Sequence, residues 1–169
     1  MPEKDTIFSS TIKYDGIFSF KEFYLFCHEW LTEETDLKIT EKKYEEKIKG
    51  DEKDIIIKWA GEKKLTDYFR FDMDVEFTVR RLKDIEVSQN GVNIKTNDGS
   101  VKVKVKGILV KDYDGKFETT AIKKFLRAIY EKWIITSRIV EMEEKISSGS
   151  DAFLNQAKAY LDLEGKKGL

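Results

Sequence analysis

The sequence predicts an α+β domain: an antiparallel sheet of about six strands packed against an N-terminal helix and a long C-terminal helix. Three patterns carry that expectation. In residues 68–80, YFRFDMDVEFTVR, the apolar side chains Phe69, Phe71, Met73, Val75, Phe77 and Val79 fall on every second residue, with Arg70, Asp72, Asp74, Glu76, Thr78 and Arg80 between them. A period of two over that length describes a strand dry on one face and wet on the other. Such strands belong to antiparallel sheets, because parallel strands are usually covered on both faces. Turn-forming residues then recur, first Asn90 and Gly91, next Asn97, Asp98 and Gly99, and last Asp114 and Gly115. Beyond Thr119 the apolar spacing changes to three and four, which is the mark of a helix.

The remaining elements follow in order. Residues 6–14 read as a strand with Phe8, Ser10, Ile12 and Tyr14 on one face, ended by Asp15 and Gly16. Ser19 and Glu22 stand three apart, the spacing at which each side chain satisfies the other's free backbone N–H at a helix start. A helix of about four turns follows, its stripe made by Phe20, Phe23, Tyr24, Cys27, Trp30 and Leu31. Residues 37–49 read as a strand whose phase changes between Leu37 and Ile39 on one side and Tyr44 and Ile48 on the other, which a bulge accounts for. Ile55, Ile57 and Trp59 form the inner row of the next strand, and Gly61 marks a bend or bulge in it.

After the long strand, residues 85–87 and 92–94 read as short strands on either side of the Asn90 and Gly91 turn. In residues 101–111, Val101, Val103, Val105, Gly107 and Leu109 alternate with Lys102, Lys104 and Lys106. Gly107 leaves a gap in that apolar row, where the sheet kinks or something packs close. Thr120 is the expected cap of the C-terminal helix. Its stripe runs through Ile122, Phe125, Leu126, Ile129, Trp133 and Ile134 and continues in Ile139, Met142 and Ile146. Ser147, Ser148, Gly149 and Ser150 are expected to break it, with Ser150 capping a further helix that carries Phe153, Leu154, Ala157, Tyr160 and Leu161. The chain is thus expected to form one domain over residues 1–169, with 150–169 a semi-independent helix.

Composition narrows the function classes. A chain of 169 residues buries roughly two-thirds of its unfolded surface without disulfides or metal. Its 31 basic residues against 32 acidic ones generate no global field for nucleic acid or a membrane surface. One cysteine, Cys27, allows no intrachain disulfide and suits a reducing compartment. The N-terminal residues lack the apolar stretch of a signal peptide, and no apolar run approaches the ~20 residues of a membrane helix. The expectation is a cytoplasmic protein with no membrane span.

Motifs of catalysis are missing. His28 is the single histidine, and it adjoins Cys27 on the first helix, where neighbours point about 100° apart and cannot close on one metal or act as a nucleophile and base pair. Asp72, Asp74 and Glu76 share the wet face of the long strand, but Arg70 and Arg80 flank them and Lys102, Lys104 and Lys106 face them across the sheet. Cross-strand charge pairing explains that row better than a cation site does. Neither phosphate-binding glycine loop occurs, and Gly149 with Ser150 lacks the second glycine of a nucleophile elbow. No cofactor is implied. Lys123, Lys124 and Arg127 open the C-terminal helix, yet no aromatic platform shares their face to stack bases.

The element order over residues 6–146 resembles the helix-grip fold of START-like lipid- and polyketide-binding proteins, in which a curved antiparallel sheet wraps a C-terminal helix. The overall texture also resembles small archaeal proteins. Where sheet and C-terminal helix meet, Trp59, Phe71, Met73, Phe77, Tyr130 and Trp133 converge, either as a solid core or as the lining of an apolar cavity. The helix-grip resemblance implies the second, a non-enzymatic binding protein that holds an apolar small molecule there. The alternative is an interaction or assembly module that offers Phe153, Leu154, Tyr160 and Leu161 to a protein partner or to a second copy of the chain.

The strand register is open to direct test. Phe71→Asp buries an unpaired charge and loses aromatic burial, so it is expected to destabilise by several kcal/mol, whereas Asp72→Phe leaves stability nearly unchanged. Chemical denaturation that ranked the two the other way would put the wrong residues on the dry face.

Overall fold

The computed structural model describes residues 3–115, 120–134 and 136–167, and the backbone alone of Trp133, Ile134 and Lys167. The elements run β1 (Glu3–Ile17), α1 (Phe20–Glu33), β2 (Lys38–Lys49), β3 (Glu52–Lys64), β4 (Phe69–Gln89), β5 (Val92–Lys111), α2 (Ala121–Ile129), a π-helical turn (Tyr130–Ile134) and α3 (Thr136–Lys167). The strands form one sheet in the order β1-β5-β4-β3-β2, every neighbouring pair antiparallel. The first strand therefore lies beside the last, and the chain between them climbs the sheet from its far edge.

Alternation sets the two faces. Phe69, Phe71, Met73, Val75, Phe77 and Val79 of β4 are all buried, as are Val101, Val103, Val105 and Leu109 of β5 and Ile55, Ile57 and Trp59 of β3. The opposite face is wet and charged. There Asp74 lies across from Lys106 and Glu76 from Lys104, so unlike charges oppose one another. Asp72 instead takes Arg70, two residues along its own strand, at 2.7 Å.

Helices α1 and α3 cover the dry face. Ser19 caps α1 by accepting from the Glu22 backbone N–H at 3.4 Å. Phe23, Cys27 and Leu31 then point inward, and the Phe23 ring meets Phe77 edge-on at 6.0 Å. Met142, Ile146, Phe153, Leu154, Ala157 and Leu161 are the buried row of α3. Burying that many apolar side chains supplies most of the driving force for folding, at ~25 cal/mol per Å² of apolar surface.

The structure departs from the sequence expectation at three places. The sheet has five strands, because the segments expected as separate short strands are continuations of β4 and β5. Asn97, Asp98 and Gly99 do not reverse the chain. They lie in β5 opposite an irregularity in β4 between Arg80 and Lys83, where Arg81 takes φ 51° and Asp54 accepts its N–H at 3.0 Å. A Cβ on Gly99 would stand 3.0 Å from the Leu82 Cα, so glycine serves close strand approach at this bulge.

The second departure is α3, which runs without a break through residues 147–150. Small residues there serve contact, not interruption. A Cβ on Gly107 would come within 2.5 Å of the Ser150 Oγ and 2.8 Å of Ile146 Cγ2, so the helix crosses β5 directly over the gap in its apolar row. Ser150 is fully buried, and its hydroxyl has no hydrogen-bond partner among the described residues. The third departure is the stripe expected to run from Ile122 to Ile146. The π-helical turn divides it, and only its second half joins the core.

The crossing point makes two substitutions diagnostic. Gly107→Ala forces α3 away from β5 and is expected to cost about 2 kcal/mol. Ser150→Ala removes a buried hydroxyl that has no partner, so stability holds or rises by up to about 1 kcal/mol. Urea denaturation of the two variants checks both, and a destabilised Ser150→Ala protein would contradict this packing.

Candidate interaction surface

The two residue sets expected to act both lie largely within the core. Trp59 and Phe77 meet at 4.8 Å, and a Cβ on Gly149 of α3 would touch Phe71 at 3.7 Å. Met73 lies opposite Gly107. Trp59, Phe71, Met73 and Phe77 are each no more than 5% exposed. Tyr130 is half-buried at the margin of the same core and meets the Tyr68 ring edge-on, 5.8 Å away. The Trp133 side chain lies outside the described residues. Phe153, Leu154 and Leu161, expected to face a partner, are buried against the sheet and α1, and Tyr160 stacks on Phe26 at 4.5 Å. The apolar row of α3 is thus turned to the core.

The exposed apolar surface is on α2 instead. Thr120 caps this helix, accepting from the Lys123 N–H at 3.1 Å. Ile122, Phe125, Leu126 and Ile129 recur at three and four, so they form one face. That face is turned outward: Ile122 is 73% exposed, Phe125 65%, Leu126 49% and Ile129 36%. Helices of globular domains ordinarily do the reverse.

Polar contacts hold α2 in this orientation. Arg127 points to the body and pairs with Asp112 at 3.5 Å, a carboxylate only 2% exposed, and with Glu3 at 4.0 Å. One turn on, Glu131 accepts a hydrogen bond from the Tyr68 hydroxyl. Burial first, and then the Glu131 carboxylate, push the Tyr68 pKa well above its ordinary value. Lys111 sits beside these groups and pairs with Asp5 at 3.1 Å. Burial opposes its charge, but Asp5, Glu3 and Glu131 together outweigh it and the pKa is raised. The body end of the sheet thus presents an ionic seat, and α2 docks on it by its charged side.

The sequence pattern put Ile122, Phe125, Leu126 and Ile129 in one stripe with Ile139, Met142 and Ile146. One signal spoke against that: Ile134 and Ile139 are five apart. At about 100° per residue, Ile129 and Ile139 already diverge by about 80° on an uninterrupted helix, and a π turn adds to the rotation.

The rest of the surface offers less. Glu41 of the edge strand β2 accepts from the Tyr24 hydroxyl of α1 at 2.8 Å and from the Trp59 indole N–H of β3 at 3.2 Å. Burial and Glu41 push Tyr24 up to about 12. His28 lies edge-on to Trp59 at 5.5 Å, and burial pushes the Cys27 thiol well above its ordinary range. The wet face holds a shallow open depression lined by Lys42, Lys58, Asp74, Glu76, Lys104 and Lys106, of mixed sign. Among the described residues, no group of three or more His, Cys, Asp or Glu is placed to hold a metal ion. Likewise among them, no helix is long and apolar enough to cross a membrane. No protein family, curated protein or solved structure matches the chain.

If the ionic seat fixes α2, Arg127→Met removes an ion pair from the buried Asp112 carboxylate and is expected to cost about 3 kcal/mol. Lys123→Met, at an exposed site, costs almost nothing. Denaturant titrations of both variants decide the matter, and equal stabilities would mean that the seat does not hold the helix.

Proposed function

We propose that the protein is a non-enzymatic docking module, a rigid α+β body that presents the apolar face of α2 to a binding partner. One observation carries this reading. Arg127, whose side chain is 19% exposed, faces the body, while Ile122 and Phe125 on the other side of the same helix are 73% and 65% exposed. An amphipathic helix seated by its charged side leaves its apolar side for something else to cover. Contiguous exposed apolar surface of this kind marks interaction sites in soluble domains. This keeps the interaction class expected from the sequence and moves the surface from α3 to α2.

A second reading retains an apolar small molecule between sheet and α3. The placement of β1 beside β5, with the last helix across the sheet, favours a helix-grip likeness and hence that reading. The direct packing of Phe23, Phe77 and Trp59 favours the first, because it fills the space a ligand would take.

The double variant Phe125→Glu with Leu126→Glu separates core from surface. If the α2 face is a docking surface, the variant melts within a few degrees of the parent, since no buried contact is lost, and it no longer binds an apolar dye such as anilinonaphthalene sulfonate. Unfolding of the variant would place these residues in the core and end the docking reading.

A further inference from the structure

We infer that the wet face of the sheet carries a docking strip for the phosphate backbone of double-stranded nucleic acid, a surface separate from the α2 face. The strip is two columns wide. β1 supplies Ser9, Thr11 and Lys13, and β5 supplies Lys106, Lys104 and Lys102, each directly opposite its counterpart across the strands. In β5 these lysines alternate with Val101, Val103 and Val105, which are buried, so the strip lies on the face away from α1 and α3. All six residues are exposed. No carboxylate stands among them, and among the described residues none of the four lysines is joined to an acid in an ion pair. A total charge of −1 therefore hides a local concentration of positive charge.

Spacing and chemistry choose the occupant. Lys102 and Lys106 are four residues apart, which is about 13 Å at a strand's rise of about 3.3 Å per residue. One strand of duplex DNA presents a phosphate about every 3.4 Å of helix axis, so the strip spans about four. Ammonium and hydroxyl groups are donors that phosphate oxygens take. A single strand asks also for rings on which its bases stack, and the strip has none. A bilayer asks for apolar side chains to enter it, and the strip has none of these either. Protein partners draw most of their affinity from aromatic or aliphatic anchors seated in pockets, which ammonium and hydroxyl groups do not form. On the inner side β4 sets Asp74 opposite Lys106 and Glu76 opposite Lys104. Those carboxylates temper the positive charge and keep the affinity modest, and they repel a phosphate laid over β4, which confines the backbone to the β1 and β5 columns. Contacts of this kind carry no base information, so binding is indifferent to sequence.

Fluorescence anisotropy of a labelled DNA duplex of about 20 base pairs, titrated with the full chain, tests the inference. The expected result is a dissociation constant on the order of micromolar at 50 mM salt, weakened about a hundredfold at 200 mM, as four phosphate contacts require. Two duplexes of unrelated sequence should bind alike, and the matching single strand more weakly. Lys104→Gln with Lys106→Gln is expected to lose about tenfold or more at 50 mM and to lower the salt dependence by about two phosphate contacts. Lys13→Gln, on the neighbouring strand, lowers it by about one. Both variants change exposed side chains that make no ion pair, and thermal melts check that they keep the parent's fold. Phe125→Glu with Leu126→Glu should bind the duplex like the parent, so this result stands or falls apart from the docking reading of α2. Parent protein that ignores the duplex would overturn the inference, as would binding that the strip variants leave unchanged or tighter binding of the single strand. Equal affinity for poly-glutamate would overturn it too and assign the strip to an acidic protein partner.

Discussion

The sheet has one dry face, and α1 and α3 occupy it. Everything else in the fold follows from that limit. The inner rows of β3, β4 and β5 need a cover of apolar side chains, and a helix supplies it only along one stripe. α1 contributes Phe23, Cys27 and Leu31, and α3 contributes the row from Met142 to Leu161. The contact is closest at Gly107, where the sheet gives up a side chain so that Ser150 and Ile146 can approach the backbone. With the dry face taken, α2 has nowhere to bury its own apolar row. It settles on the sheet's end through Arg127, Asp112, Glu131 and Tyr68 and keeps that row outside.

Much of this architecture is legible in the sequence, and the reasons are local. Period-two alternation in residues 69–79 fixes register because a slip of one residue would expose six apolar side chains. The Ser19 cap and the phase change in β2, where register shifts between Glu41 and Lys43, are likewise short-range signals. What misled the reading is also specific. Asn97, Asp98 and Gly99 are turn formers, and a bulge asks for the same backbone freedom as a turn, so residues alone do not separate the two. Ser147 to Ser150 look like a helix break, but small residues are also what a helix needs where it crosses a strand closely. Length of the uninterrupted apolar row on both sides would have favoured contact.

The surface that supports the functional proposal was visible as a pattern but not as a surface. Amphipathicity states that a helix has an apolar side; it does not state what covers it. The decision belongs to long-range contacts, here a buried carboxylate at Asp112 that draws Arg127 inward. Asp112 is one of very few charged residues in the interior, and a buried charge is tolerated where it is paired. Its partner fixes which side of α2 faces the body. The same account explains why residues first expected to meet a ligand or partner are buried: Phe71, Phe77, Phe153 and Leu161 are the cover and the covered.

Native-state hydrogen exchange tests the central claim most directly, by comparing the helix that covers the sheet with the helix that does not. If α3 fills the dry face and α2 only rests on the ionic seat, amides of α3 between residues 142 and 161 exchange through global unfolding. Those of α2 between residues 123 and 129 then exchange through a local opening of lower free energy. Simultaneous opening of both helices at the global free energy, or opening of α3 ahead of α2, would contradict the account.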